Sequence, residues 1–118
     1  MYKVKANNWK ESILITMEGK RPKLIKVVIN PESIVLSAKT AEKEMKRMQS
    51  ALEKDFSETN LLEFKKAVGT FFSTVLGERN YKEILDYYDG NIFAVVHDIS
   101  PWINEVVTPK LHTGFSGR

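Results

Sequence analysis

The sequence contains no cysteine and only two histidines among its 118 residues. Without a thiol there is no disulfide framework, no thiolate zinc or iron–sulfur site and no thiol nucleophile, a composition that fits a reducing compartment. His97 and His112 are too far apart to form the i,i+4 pair of a helical metal site. The phosphate-cradling patterns GxxxxGK(S/T) and GxGxxG and the hydrolase elbow GxSxG are all missing. Long apolar runs are missing too. No window approaches the roughly 20 apolar residues that span a bilayer, and the opening MYKVKANNWKES has no run suited to a signal peptide. The expectation is a soluble, cytoplasmic, non-enzymatic protein with no metal and no cofactor.

What is present suits one compact domain: 42% hydrophobic and 28% charged residues are enough for a core and against disorder of the whole. The expected domain covers residues 1–113, with a flexible tail over 114–118. The net charge of +3 is unevenly spread. Residues 1–54 hold 12 Lys/Arg against 6 Asp/Glu, a net +6, and residues 55–118 hold 6 against 9, a net −3. Such asymmetry either steers an acidic partner, supports head-to-tail contact between basic and acidic halves, or reflects nothing beyond a solvated surface.

The fold class read from patterning is α+β, mainly α: an N-terminal β-hairpin and four to five helices packed as a small bundle. The first dozen residues resemble an arm or edge strand: Lys3 and Lys5 alternate with Tyr2 and Val4 before Asn7-Asn8 break the pattern. Two β-rich runs, Ser12 to Met17 and Leu24 to Ile29, flank Glu18-Gly19-Lys20-Arg21-Pro22, whose Gly and Pro supply turn chemistry. Neither run alternates cleanly and a lone hairpin is marginal in water, so helices must cover one face. Asn30-Pro31-Glu32 is a helix start, with a capping Asn, Pro in the first turn and an acid near the positive end. Ile34, Ala38, Ala41, Met45, Met48, Leu52 and Phe56 follow at spacings of 4, 3, 4, 3, 4 and 4, a stripe roughly 80° wide on a helix. The competing reading makes Ile34-Val35-Leu36 a third strand, with Thr40 capping a shorter helix.

Ser57 to Asn60 offer caps for a second helix, with Leu61, Phe64, Val68, Phe71, Phe72, Val75 and Leu76 on one wide face and Gly77 as its stop. Asn80 is expected to cap a short helix that Asp89-Gly90 ends. Asn91 starts another, which Ser100-Pro101 is expected to restart or kink.

Candidate sites are few. His97-Asp98 invites an acid–base reading, but adjacent helical residues diverge by about 100°, which argues against a relay. Glu83, Asp86 and Asp89 share an i,i+3 rhythm that reads as an exposed face. Lys20, Arg21, Lys23 and Lys26 on the hairpin, with Lys39, Lys43, Lys46 and Arg47 on a helix face, form a basic surface. Contact with nucleic acid is not favoured, because no aromatics are interleaved with these cations and Glu32, Glu42, Glu44 and Glu53 dilute them. Tyr87, Tyr88, Phe93 and Trp102 form an aromatic group that reads equally as core or as an interface anchor.

One resemblance is carried by the second half. Phe64-Lys65-Lys66-Ala67-Val68 through Phe71-Phe72 to Val75-Leu76-Gly77, then Tyr81 to Tyr88, then Ile99-Ser100-Pro101-Trp102-Ile103 through Val106-Val107 to Lys110 resembles the tail assembly chaperones of siphovirus-type phages and prophages of Gram-positive bacteria. The likeness covers about residues 60–111 and rests on helical pattern and on words such as LGE and ILDYY. It implies a small helical protein that binds the tape measure protein and major tail protein (the tail-tube subunit) and self-associates. Such a role would use an exposed apolar helix face, and the stripe from Ile34 to Phe56 is the expected one, so that charge at Ala41 and Met45 would weaken association.

Overall fold

The computed structural model describes residues 9–109. Residues 1–8 of the expected arm, the tail over 114–118 and His112 lie outside them, while the last residues of that arm, from Trp9 on, belong to the first strand. Strand β1, Trp9–Ile15, pairs antiparallel with β2, Lys23–Ile29, so that Ile13 faces Ile25 and Leu14 faces Leu24. β1 therefore begins three residues earlier than the apolar run and ends before Met17, because pairing with Ile29 extends it back to Trp9. Period-two alternation sends Ile13, Ile15, Ile25, Val27 and Ile29 to one buried face. Leu14, Leu24 and Val28 point the other way, between 53% and 64% exposed.

The stretch from residue 31 to 54 is helical throughout: α1 (Pro31–Ser33), a π-helical stretch (Ile34–Ala38) and α2 (Lys39–Lys54). The Asn30 side chain accepts from the Glu32 and Ser33 amides, which fixes the start. The third-strand alternative is thereby excluded. The wider π turn places Ile34 and Ala38 on one side and leaves Leu36 74% exposed. α3 spans Glu58–Leu76, with Ser57 accepting from the Asn60 amide as N-cap. Asn60 also donates through Nδ2 to the Ala51 and Asp55 carbonyls, which joins the start of α3 to the end of α2.

A single residue, Gly77 at φ 97°, separates α3 from α4 (Glu78–Tyr87); a Cβ would strain that left-handed turn. Asn80 is not the cap of α4. The helix starts at Glu78, and Asn80 sits inside its first turn, where Nδ2 donates to the Leu76 carbonyl at 2.8 Å and the Lys26 carbonyl at 2.9 Å. Asn91 does cap α5, Ile92–Trp102, by accepting from the Ala94 amide. Pro101 does not restart the helix. α5 runs through it, the Ile103 amide bonds both Ile99 and Ser100 carbonyls, and the chain continues as a second π-helical stretch, Ile103–Val107.

The core forms around α3, which buries one wide face, Phe64, Ala67, Val68, Phe71, Phe72, Val75 and Leu76, and leaves Glu63, Lys65, Lys66 and Thr70 in water. A helix apolar over so wide a face must be covered by several neighbours. α2 lies along one side, and the hairpin, α4 and α5 supply the rest. Phe72 is fully buried and stacks on Tyr81 at 6.1 Å between centroids, with Phe71 edge-on at 5.2 Å.

Candidate protein-interaction surfaces

The stripe on α2 belongs to the interior. Ile34, Ala38, Ala41, Met45, Met48 and Leu52 are all at most 8% exposed, packed chiefly toward α3. In the folded monomer they are not a free face, so the expectation that charge at Ala41 and Met45 would selectively weaken association changes: such charge acts on folding first. Phe56 leaves the stripe altogether. α2 ends at Lys54, and Phe56 sits in the turn before α3, 71% exposed.

The aromatic group divides. Tyr88 is buried and donates its hydroxyl to Asp98 Oδ2 at 2.8 Å. Tyr87 donates to the Arg21 carbonyl at 2.8 Å, while its ring lies under the Lys20 ammonium at 5.2 Å. Trp102 is half-buried against the core. Phe93, 47% exposed, stacks on buried Phe64 at 5.7 Å. Tyr87 and Tyr88 thus hold elements together, and only Phe93 presents a substantial open ring.

The basic surface is also partly committed. Lys20 reaches the Tyr87 carbonyl at the C-terminal end of α4 and pairs with Asp89 at 3.0 Å. A cation there meets unpaired carbonyls and the negative end of the helix dipole. Together with Tyr87 on Arg21 and Asn80 on Lys26, this latch pins the hairpin to α4 at both its turn and its second strand. Lys46 faces Glu42 at 3.7 Å and Arg47 holds Glu44 at 2.6 Å. The hydrogen bond from Arg47 lowers the Glu44 carboxyl below its ordinary value. Arg21, Lys39 and Lys43 are exposed and Lys23 half-buried. Glu83 is half-buried while Asp86 and Asp89 are exposed, and the three do not act as one face, since Asp89 belongs to the latch.

His97 and Asp98 do touch: Nδ1 lies 3.0 Å from Asp98 Oδ1. The divergence of their Cα–Cβ bonds is overcome by side-chain torsions on the exposed surface, where His97 is 88% open. Hydrogen bonds from His97 and then Tyr88 hold the Asp98 carboxyl below the usual range. Burial, then the bond to Asp98, pushes the Tyr88 hydroxyl up. The chain Tyr88–Asp98–His97 ends at open solvent, and its anchored member, Tyr88, ties the end of α4 to α5.

Among the described residues no three His, Cys, Asp or Glu side chains gather as metal ligands. None of the helices there is long and apolar enough to cross a membrane. A shallow groove of about 230 Å³ between α2 and α3, lined by Ala41, Glu44, Glu63, Lys66, Ala67 and Thr70, is open and lacks a buried polar group to orient a ligand. What remains conspicuous is apolar surface in water: Leu14, Leu24 and Val28 on the outer face of the hairpin, and Phe56 and Leu62 at the α2–α3 turn. The sequence reading missed the first set, because which residues of a hairpin turn outward depends on which face the helices take. The chain matches no family model, no curated protein and no solved structure.

Proposed function

We propose that the chain is a non-enzymatic phage tail assembly chaperone that acts in the cytoplasm of a bacterial host. Its partners on this reading are the tape measure protein and the major tail protein. The observation that carries the reading is a well-packed small domain in which seven large apolar side chains are exposed among the described residues, five of them, at 53–71% exposure, in two places on its surface. Large apolar side chains left exposed close together on a compact domain mark sites of protein contact. The resemblance over about residues 60–111 supplies the finer identity, carried by the segments Phe64 to Gly77, Tyr81 to Tyr88 and Ile99 to Lys110.

The experiment is co-expression with the long helical protein encoded immediately downstream. The chaperone reading requires that the two co-purify, that the long protein is soluble only in the presence of this chain, and that finished particles lack it. Absence of a long helical coding sequence next door, or failure to co-purify, sinks the reading. Retention in finished particles would make the chain a structural tail or head–tail component instead.

A further inference from the structure

The two exposed apolar patches differ in charge and lie at opposite ends of the helical pair. The outer face of the hairpin carries three cross-strand rows: Lys10 beside Val28, Ser12 beside Lys26, and Leu14 beside Leu24. All six residues are exposed, and no carboxylate is among them. The α2–α3 turn carries Phe56, 71% exposed, and Leu62, 57% exposed, within residues 53–63. That segment also holds Glu53, Asp55, Glu58 and Glu63 against a single Lys54, all of them exposed. The hairpin is anchored where Asn80 bridges Lys26 to Leu76, at the C-terminal end of α3. The acidic patch lies at its N-terminal end. The 19 residues of α3 put these ends about 28 Å apart at 1.5 Å per residue.

We infer that the occupant of the hairpin's outer face is the α2–α3 turn of a second copy of this chain, so that copies associate head to tail. The charge pattern selects this arrangement. A symmetric contact of two outer faces would set Lys10 and Lys26 against lysines of the other copy, and like charges face to face are costly. Aliphatics with cations meeting aliphatic and aromatic residues with carboxylates satisfies both terms at once. A heterologous contact of this kind leaves one end free on each copy, and it therefore builds rings or open filaments rather than closed dimers. Each patch comprises only a handful of side chains, against the roughly 20–30 residues a side of a stable interface, so the contact is weak and driven by concentration. The inference uses the same two surfaces that carry the chaperone reading and gives a geometry to the self-association it implies, but its test uses the chain alone, so it can fail while co-purification with the long protein still succeeds.

Sedimentation equilibrium of the whole chain tests it. The weight-average mass should climb above 13.5 kDa as concentration rises from micromolar to millimolar. It should drop back when salt rises from 0.1 M, where the screening length is about 10 Å, to 1 M, where it is about 3 Å. Leu14→Ser/Leu24→Ser and Phe56→Ser/Leu62→Ser alter only exposed side chains, so circular dichroism and melting should match the parent. Each variant alone should stay monomeric, and an equimolar mixture should form a heterodimer and nothing larger, because each retains one working end. Lys10→Glu/Lys26→Glu keeps the aliphatics and should abolish association through charge alone. A parent that is monomeric throughout overturns the inference. So does a mixture that stays monomeric, or a Phe56→Ser/Leu62→Ser variant that still dimerises by itself.

Discussion

Replacing Met45 separates an interior stripe from an exposed one with a single side chain. Met45 is 5% exposed on the side of α2 that faces α3. Met45→Ala removes buried thioether and methylene groups and leaves a cavity, a loss of about 2–5 kcal/mol. For a chain of this size that lowers the melting temperature by about 3–5 °C for each kcal/mol. Met45→Asp adds a carboxylate to an interior that, among the described residues, holds no buried polar or charged side chain able to pair with it. The added cost is several kcal/mol, and the total passes about 5 kcal/mol, a large part of the 5–15 kcal/mol by which domains are usually stable. Leu36→Asp, on the same helical stretch but 74% exposed, should change stability by no more than about 0.5 kcal/mol. Urea titrations followed by circular dichroism read all three. If Met45→Asp unfolds at the same urea midpoint as Leu36→Asp, the stripe is not interior and the packing argument fails.

Two further predictions follow from bonds between distant elements. Asn80→Ala removes the donor that serves Lys26 and Leu76 and should cost about 1–2 kcal/mol, with faster amide exchange in β2 than in α2. Equal acceleration in both would mean that Asn80 does not hold the hairpin in particular. The Tyr88, Asp98 and His97 group makes stability pH-dependent at both extremes, through the His97 and then the Tyr88 hydrogen bond to Asp98 at the acid end and through burial of Tyr88 and then its bond to Asp98 at the alkaline end. Because the Asp98 carboxyl is lowered in the folded state, its contribution is present above the unfolded value of about 3.9 and disappears as pH falls through the folded value. Because the Tyr88 hydroxyl is raised, its contribution is present below about pH 10 and disappears as pH rises toward the folded value. Tyr88→Phe should therefore flatten the stability profile above pH 10, and Asp98→Asn should flatten it below pH 4. Unchanged slopes in thermal melts would refute the coupling.

Local chemistry was readable in the sequence, and chemistry between distant elements was not. The caps at Asn30, Ser57 and Asn91 act on amides two or three residues away, so the cap and its target appear in one short word. The stripe from Ile34 to Leu52 was equally visible, because burial repeats at the helical period. Periodicity carried on to Phe56 by coincidence; the helix stops at Lys54, since Asp55 takes an extended backbone. Asn80 looked like a cap because Asn is a good one, yet its acceptor on Lys26 lies 54 residues away. The two π-helical stretches left no mark of their own, as the same apolar residues fit either turn. The basic residues were identified as a set, but nothing local separated Lys20, which latches α4, from Arg21 beside it. Core and surface could not be distinguished for Tyr87, Tyr88, Phe93 and Trp102, because that choice depends on which helix packs over them.

The latch between the hairpin turn and the end of α4 also sets an order of events during synthesis. Lys20 and Asp89 are 69 positions apart, and Asn80 follows Lys26 by 54. The hairpin therefore leaves the ribosome with Ile13, Ile15, Ile25, Val27 and Ile29 uncovered, and its cover arrives only once α3 and α4 have been made. At elongation rates of about 5–20 residues per second, that interval lasts several seconds. Throughout it the nascent chain presents an apolar β-ribbon that neither α3 nor α4 yet covers. The newest and least protected molecules are then the ones most prone to pair strand to strand with their neighbours on a shared message.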